Sequence, residues 1–183
     1  HSMGTPPSHV FAGKFRRPAA GKGEAGSLTL RGLTGHAIGK AFTRVGLDLT
    51  VSIHRPQRND PALKITPLHG LELLHFDGLT RLQWVQKLLR KADAVANHNG
   101  IPPSPHRQKQ IDAVLHDPAA AFALHDRLKL LSDDQVAALG DLVIAPAFDP
   151  SEALATVFGT SALLDPDQFD AWLMDQKADA LPL

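Results

Sequence analysis

The run Leu73-Leu74-His75-Phe76-Asp77-Gly78 contains residue types that can do chemistry, and Arg81 follows it closely. An imidazole such as that of His75 can bind a divalent cation through one ring nitrogen. A guanidinium such as that of Arg81 can hold a phosphate through paired donors. Gly78 permits a tight turn with close backbone approach. Together these residues suit a metal-bound diphosphate.

The elements expected around this run are a strand before it and a helix after it. Short apolar stretches flanked by Gly and Pro predict three strands, at residues 28–33, 47–53 and 71–76. The ends of Thr80-Arg81-Leu82-Gln83 match a capping box, and apolar residues at helical spacing predict a helix over 80–95. In α/β architectures, ligands collect where a strand ends in a loop that feeds a helix. His75 and Arg81 are therefore expected to line the same cleft, between the end of the strand and the start of the helix.

Further helices are expected after residue 95. An N-cap residue followed by proline marks four starts, at Ser104-Pro105, Asp117-Pro118, Asp149-Pro150 and Asp165-Pro166. The first of these helices is expected to reach Leu115 and the second Leu131. A second capping box, Ser132-Asp133-Asp134-Gln135, predicts a short helix to Leu139.

The predicted fold class is α/β in the broad sense (α+β), with a few short N-terminal strands followed by a helix-rich C-terminal half. Residues 1–26 are expected to be a tag remnant, His1-Ser2-Met3-Gly4, followed by a poorly ordered basic segment. Residues 27–95 form the strand-rich part with the His75 motif and its helix. Residues 96–183 form the helical C-terminal part.

Composition narrows the classes of function. The chain has 19 basic and 19 acidic residues, so no global field recruits nucleic acid. It has no Cys, so a bound metal needs His, Asp, Glu or backbone oxygen ligands. No apolar run approaches the roughly 20 residues needed to span a bilayer. These features predict a cytoplasmic protein with neither a nucleic-acid partner nor a membrane span.

The motif His75-Phe76-Asp77-Gly78, with Arg81 and Trp84 after it, resembles the C-terminal motif of metal-dependent nucleotide-sugar glycosyltransferases. The resemblance implies that His75 coordinates the manganese or magnesium ion that carries the donor diphosphate. It also implies that Arg81 contacts phosphate. Arg81 stands where that family usually has Lys, and Trp84 stands one place later than usual.

A longer resemblance covers about residues 33–92. The order of three motifs resembles the distal part of bacterial family 2 glycosyltransferase-like proteins. These motifs are Gly35-His36-Ala37-Ile38-Gly39-Lys40 followed by Arg44, then Ile53-His54-Arg55-Pro56, and then His75 with its helix. This implies the distal half of a GT-A-like domain. Lys40 and Gly78 are the further candidates for binding the nucleotide-sugar donor.

The family's Asp-x-Asp metal motif and its nucleotide-binding strand-helix unit are not visible before Gly35. The only Asp-x-Asp, Asp165-Pro166-Asp167, is interpreted as a helix cap. We therefore expect a fragment or a reduced relative that transfers no sugar by itself. A missing N-terminal half or a second copy would complete it, and neither the acceptor nor a catalytic residue is assigned.

Each candidate also has a structural explanation. His75 is equally well explained as a core histidine, and Asp77 as a turn former that bonds to its own backbone. The solvated face of a helix would equally explain Arg81, Lys87, Arg90 and Lys91, of which only Arg81 has a positional argument for a site. An exposed turn is the more probable explanation of Lys40. Trp84 is expected to pack in the core.

A second hypothesis comes from a different class of function. The chain would be a non-catalytic helical module that binds a protein partner through apolar residues of its later helices, namely Phe122, Leu131, Phe158, Phe169 and Trp172. Four further histidines are expected in helices or loops, fit no common zinc spacing and are expected to be exposed, namely His98, His106, His116 and His125.

Overall fold

The computed structural model describes residues 2–3, 14–21, 27–36, 40, 43–44, 46–47, 49–50, 57–58, 66, 70, 73, 75–98, 100–144 and 165–176. The strands are β1 (Ser2–Met3), β2 (Lys14–Arg16), β3 (Leu49–Thr50), β4 (Gln57–Arg58) and β5 (Val143–Ile144). The helices are α1 (Arg81–Ala96), α2 (Pro105–His116), α3 (Ala121–Lys129), α4 (Asp133–Leu139) and α5 (Pro166–Asp175), with 3-10 turns at Pro118–Ala120 and Gly140–Leu142. This part of the chain is α+β with a helix-rich C-terminal half, as expected.

Helix α1 begins where the sequence predicts. The Thr80 hydroxyl accepts a hydrogen bond from the Gln83 backbone N–H at 3.1 Å. The Gln83 side chain accepts in turn from the Leu79 N–H at 2.6 Å, one residue earlier than in a regular capping box. The first turn of α1 is thus fixed by its own sequence.

The later helix starts expected at Ser104, Ser132 and Asp165 are also confirmed, whereas the α-helix expected from Asp117 starts three residues late, at Ala121. Helix α2 begins at Pro105, and the capping box of Ser132 and Gln135 is present at α4. After Asp117 the chain forms a 3-10 turn before α3, which ends at Lys129. The Asp165 carboxylate accepts from the Asp167 and Gln168 N–H groups, both at 3.0 Å, so the Asp-x-Asp here is a cap. The start expected at Asp149 lies outside the described residues.

One hydrophobic core joins α1, α2 and α3. Its buried members are Trp84, Val85, Leu88, Ile111, Val114, Ala121 and Leu124. The Trp84 indole is completely buried and meets the His125 ring edge-on at a centroid distance of 5.6 Å. Trp84 therefore packs, as expected, and the core includes residues on both sides of the predicted boundary at residue 95.

The strand predictions are only partly met. Residues 28–33 do not form a strand, because Arg31 and Gly32 both have positive φ angles, 55° and 81°. Leu30 and Leu33 pair across this tight turn as an isolated bridge. Of residues 47–53, the described Leu49 and Thr50 form β3, which pairs with β4.

The described residues of the stretch 71–76, which are Leu73, His75 and Phe76, lie outside any strand. The turn that follows therefore enters α1 without a regular strand before it at these positions. An apolar run indicates burial, but it does not supply the neighbouring strand that regular pairing needs.

The basic segment that was expected to be poorly ordered contains a central strand instead. Strand β2 lies between β1 and β5, with Phe15 opposite Ile144 and Arg16 opposite Val143. Phe15 is buried and meets the Phe76 ring edge-on at 5.3 Å. This pairing joins distant parts of the chain, so no local pattern could reveal it.

A side chain at position 78 should destabilise the fold. The φ angle of Gly78 is 98°, and a Cβ added there would lie 2.8 Å from the Trp84 Cβ. We expect Gly78→Ala to lower the free energy of unfolding by about 3 kcal/mol, because left-handed strain and a core clash add. Gly21 has a φ of 88° with nothing within 4 Å of such a Cβ, so Gly21→Ala should lose only about 1 kcal/mol. Urea unfolding measures both, and equal losses would show that the contact with Trp84 is unimportant.

Candidate functional site

The turn from His75 to Thr80 is organised around the Asp77 carboxylate. The side chain of Asp77 is 1% exposed. Its Oδ1 accepts from the Lys87 Nζ at 2.8 Å, and both of its oxygens accept from the Arg107 Nη2 at 2.8 Å. One buried carboxylate is therefore bound by cations from α1 and α2.

A third cation holds the backbone of the same turn. The Lys129 Nζ, at the end of α3, donates to the Asp77 carbonyl at 3.2 Å and to the Gly78 carbonyl at 2.9 Å. Lys129 is buried. We call Lys87, Arg107 and Lys129 the basic cluster.

Two sequence-based interpretations are corrected here. Asp77 was expected to bond to its own backbone, but its carboxylate forms ion pairs with Lys87 and Arg107. Lys87 was expected on a solvated helix face, and it reaches Asp77 instead. The reason is that a buried carboxylate needs charged partners more strongly than a turn needs a side-chain bond.

Electrostatics follow from this arrangement. Burial of Asp77 raises the pKa of its carboxyl, but Arg107 and Lys87 outweigh burial and hold that pKa well below its ordinary value. Burial lowers the pKa of Lys129 to about 8, with Asp77 opposing that change. Lys129 is thus mostly protonated at pH 7. The basic cluster then exceeds its one carboxylate by two positive charges.

His75 lies at the edge of this charge distribution. It is partly buried, and burial lowers the pKa of its imidazole, as do the positive charges of Lys87 and Lys40. At neutral pH the ring is therefore mostly uncharged, which is the form that binds metals. The exposed Lys40 makes the smallest of these contributions to the pKa of His75, and its role in binding a donor stays a prediction.

Arg81 has a different environment from the one expected. Its Nε donates to the Asp126 carboxylate on α3 at 2.9 Å, and its side chain is half exposed. Arg81 is not among the charges that shift the pKa of His75, whereas Lys87 is the strongest of them. Lys87 is therefore the cation whose charge most strongly lowers the pKa of His75.

Gly78 is placed within the turn, where it packs under the first turn of α1. The close approach that it permits is to Trp84, since Trp84 atoms occupy the space around its missing Cβ. Its carbonyl is bound by Lys129. The described contacts of Gly78 are thus with the protein itself.

Two of the four helical histidines differ from expectation. His98 and His116 are exposed as predicted, but His106 and His125 are buried. The His106 Nε2 lies 3.1 Å from the Gly35 carbonyl, and the His125 Nδ1 lies 3.0 Å from the Asp126 carboxylate. The partner of His106 lies 71 residues away, and the His125 ring packs against the distant Trp84, so their burial could not be judged from local sequence.

The same face of α2 fixes the loop before Lys40. The Gln110 side-chain amide donates to the Leu28 carbonyl at 2.5 Å and to the Thr34 carbonyl at 3.1 Å. Together with His106 it holds residues 28–35 against α2. The segment that leads towards Lys40 is therefore anchored to the helix that also supplies Arg107.

Sequence reasoning missed Arg107 and Lys129 as members of the site. Arg107 carried no local signal, because its partner lies 30 residues away. Lys129 did carry one, since it follows the buried Ala121 and His125 at intervals of four residues and so falls on the inward face of α3. A lysine at such a position has to find a partner inside the protein.

Within the described residues, no group of three His, Asp or Glu side chains is placed to hold a metal ion. The carboxylate of Asp77 is already paired with Lys87 and Arg107. The described part of the chain therefore offers His75 as a single candidate ligand. It offers no complete metal site.

The residues named for the helical-module hypothesis are distributed unevenly. Phe122 and Trp172 are 44% and 56% exposed, whereas Leu131 and Phe169 are partly buried. Phe158 lies outside the described residues. Two exposed aromatic side chains thus remain available to that hypothesis.

Comparison with protein-family models, with curated proteins and with solved structures finds no match for this chain. None of the described helices is both long enough and apolar enough to cross a membrane. Functional inference therefore rests on the residues and their geometry.

Asp77→Asn tests whether the ion pairs hold the turn. Leaving Arg107 and Lys87 without their carboxylate should lower the free energy of unfolding at pH 7 by roughly 3 kcal/mol. Because the pKa of Asp77 is lower in the folded protein, its stabilisation is present above its ordinary pKa of 3.8 and is lost progressively as the pH falls below it.

Chemical denaturation at pH 7 and pH 3 measures this effect, and the gap between wild type and Asp77→Asn should narrow at pH 3. Asp112→Asn, an exposed carboxylate on α2, should change stability by less than about 0.5 kcal/mol. If the gap does not change with pH, the ion pairs do not stabilise the fold.

Proposed function

We propose that this chain is the C-terminal part of a glycosyltransferase-like protein that transfers a sugar from a nucleotide-sugar donor with the help of a divalent cation. The observation that supports this most is the position of the partly buried His75 directly before a turn that Lys87, Arg107 and Lys129 hold in place. The resemblance of the His75-Phe76-Asp77-Gly78 motif to that of metal-dependent glycosyltransferases supplies the reaction class.

The roles proposed for the residues follow from their chemistry. The uncharged imidazole of His75 would serve as one ligand of manganese or magnesium. When bound, such a cation neutralises the charge of the departing nucleoside diphosphate. Lys40 and Lys87 would add positive charge beside the same diphosphate, and Arg81 remains a candidate only if it leaves Asp126.

The structural part of the proposal concerns preorganisation. Lys129 holds the carbonyls of Asp77 and Gly78, and Arg107 holds the Asp77 carboxylate. These contacts fix the backbone directly after His75, so the position from which the imidazole extends is set by the fold. The other metal ligands and the base for the acceptor are proposed to belong to a preceding segment with an Asp-x-Asp motif, supplied by a longer protein.

Ligand-induced thermal stabilisation tests this proposal without requiring sugar transfer. A ligand that binds the folded protein raises its Tm, and at ten times Kd the rise should be about 3 °C or more for a chain of this size. We expect manganese together with one of the uridine, guanosine, cytidine or thymidine diphosphates to produce such a rise. His75→Ala should remove it.

His116→Ala is the matched control, because His116 is exposed on α2 and has no role in the proposal. It should keep the full rise in Tm. If His75→Ala and His116→Ala respond to manganese and nucleotide as the wild type does, His75 is not a ligand. If the wild type gives no rise with any of the four, binding of a nucleotide by this chain is refuted.

A further inference from the structure

The basic cluster has more donor capacity than the described chain uses. The Arg107 Nη1 is buried and has no hydrogen-bond partner among the described residues, while its Nη2 serves both oxygens of Asp77. The Lys87 Nζ carries three N–H donors, of which one described contact, to Asp77, uses one. Buried donors are normally paired, so an unused guanidinium nitrogen calls for an explanation.

The basic cluster also carries more positive charge than its one carboxylate neutralises. Asp77 is the only carboxylate among the described residues that forms an ion pair with Lys87 or Arg107. Lys129 is satisfied by two carbonyl oxygens and adds a further positive charge. The cluster is therefore electropositive, and an anion would supply both the missing charge and the missing acceptors.

The cluster can be reached from solvent at one member. The side chain of Lys87 is 44% exposed, whereas that of Arg107 is 13% exposed and Lys129 is buried. Lys87 thus lies between the buried carboxylate and the surrounding solvent. Its flexible stem lets the ammonium group exchange the Asp77 carboxylate for another anion without unfolding α1.

We propose that Lys87 is the entry contact of a diphosphate-binding site formed with Arg107, at the Asp77 turn next to His75. An incoming phosphate oxygen accepts from the Lys87 ammonium, and the Arg107 Nη1, which donates to no described oxygen of the protein, donates to a second phosphate oxygen. The turn itself stays in place, because Lys129 holds its carbonyls. Arg81, which was the candidate from spacing alone, stays with Asp126 on α3.

This inference rests on the proposed function only for the identity of the natural ligand, a nucleoside diphosphate. The anion site itself is tested with inorganic pyrophosphate and no metal. Isothermal titration at low ionic strength should detect binding by the wild type, and added NaCl should weaken it because Lys87 is partly exposed.

Variants of three cations on α1 make the test specific. Lys87→Gln should weaken pyrophosphate binding at least tenfold, whereas Lys91→Gln and Arg90→Gln, at an exposed position of the same helix, should stay within about twofold of the wild type. The glutamine can still donate to Asp77, so the fold is expected to persist, and a thermal melt checks this. Lys87→Arg should retain binding because it keeps the charge.

A chemical readout covers the case in which Lys87→Gln fails to fold. Acetylation of the wild type with an amine-reactive ester, followed by mass spectrometry, reports the accessibility of each lysine. Pyrophosphate should slow modification of Lys87 several-fold more than that of Lys91, whose ammonium donates to the Ile101 carbonyl.

The outcomes separate the two proposals. Pyrophosphate binding through Lys87 without any effect of nucleoside or of His75→Ala upholds the anion site and refutes the proposed function. Equal weakening by the glutamine variants at residues 87, 90 and 91, or equal protection of both lysines, overturns the site. Absence of pyrophosphate binding by the wild type overturns it as well.

Discussion

The Asp77 carboxylate joins the helices of the described fold at one point. Lys87 reaches it from α1 and Arg107 from α2, while Lys129 of α3 binds the two carbonyls beside it. Burying one charge in this way is tolerable only when cations from several elements converge on it. The position of the turn, and with it the orientation of His75, therefore depends on the packing of all three helices.

That dependence links the hydrophobic core to the candidate site. Trp84 lies in the centre of the core and also fills the space next to Gly78. A change in how α1 packs would therefore move the turn that carries His75. Helix α5 also contacts the start of α1, because Asp170 accepts a hydrogen bond from the Thr80 hydroxyl. The site is thus held by long-range contacts, and its precision depends on the whole helical assembly.

The charge balance of the whole chain conceals a strongly local feature. Equal numbers of acidic and basic residues suggest no anionic partner. At the Asp77 turn, however, two cations pair with one carboxylate and a third binds the backbone carbonyls beside it. Net charge governs long-range attraction, whereas binding of a small anion depends on the donors within a few ångströms. A nearly neutral protein can therefore still have a site for a diphosphate.

Local sequence by itself determined the helix starts, because a cap needs only residues within one turn of each other. Thr80 with Gln83, Ser132 with Gln135, and Asp165 with its proline were each predicted and confirmed. The helical spacing of apolar residues likewise predicted the buried face of α1. Local sequence also singled out the His75 motif, since a histidine, a glycine and a helix cap lie within six residues.

Only the tertiary structure decided which charges surround that motif. The partners of Asp77 lie 10 and 30 residues away, and Lys129 lies more than 50 residues away, so no spacing rule connects them. The same holds for β2, whose neighbour β5 follows α4 much later in the chain. It also holds for His106 and His125, whose burial depends on distant contacts. Spacing predicted Arg81 beside His75, but α3 brings Asp126 next to Arg81, which pairs with it. Lys87 is instead the cation that most strongly lowers the pKa of His75. Caps are local interactions, whereas the pairing of buried charges is settled only when the helices pack.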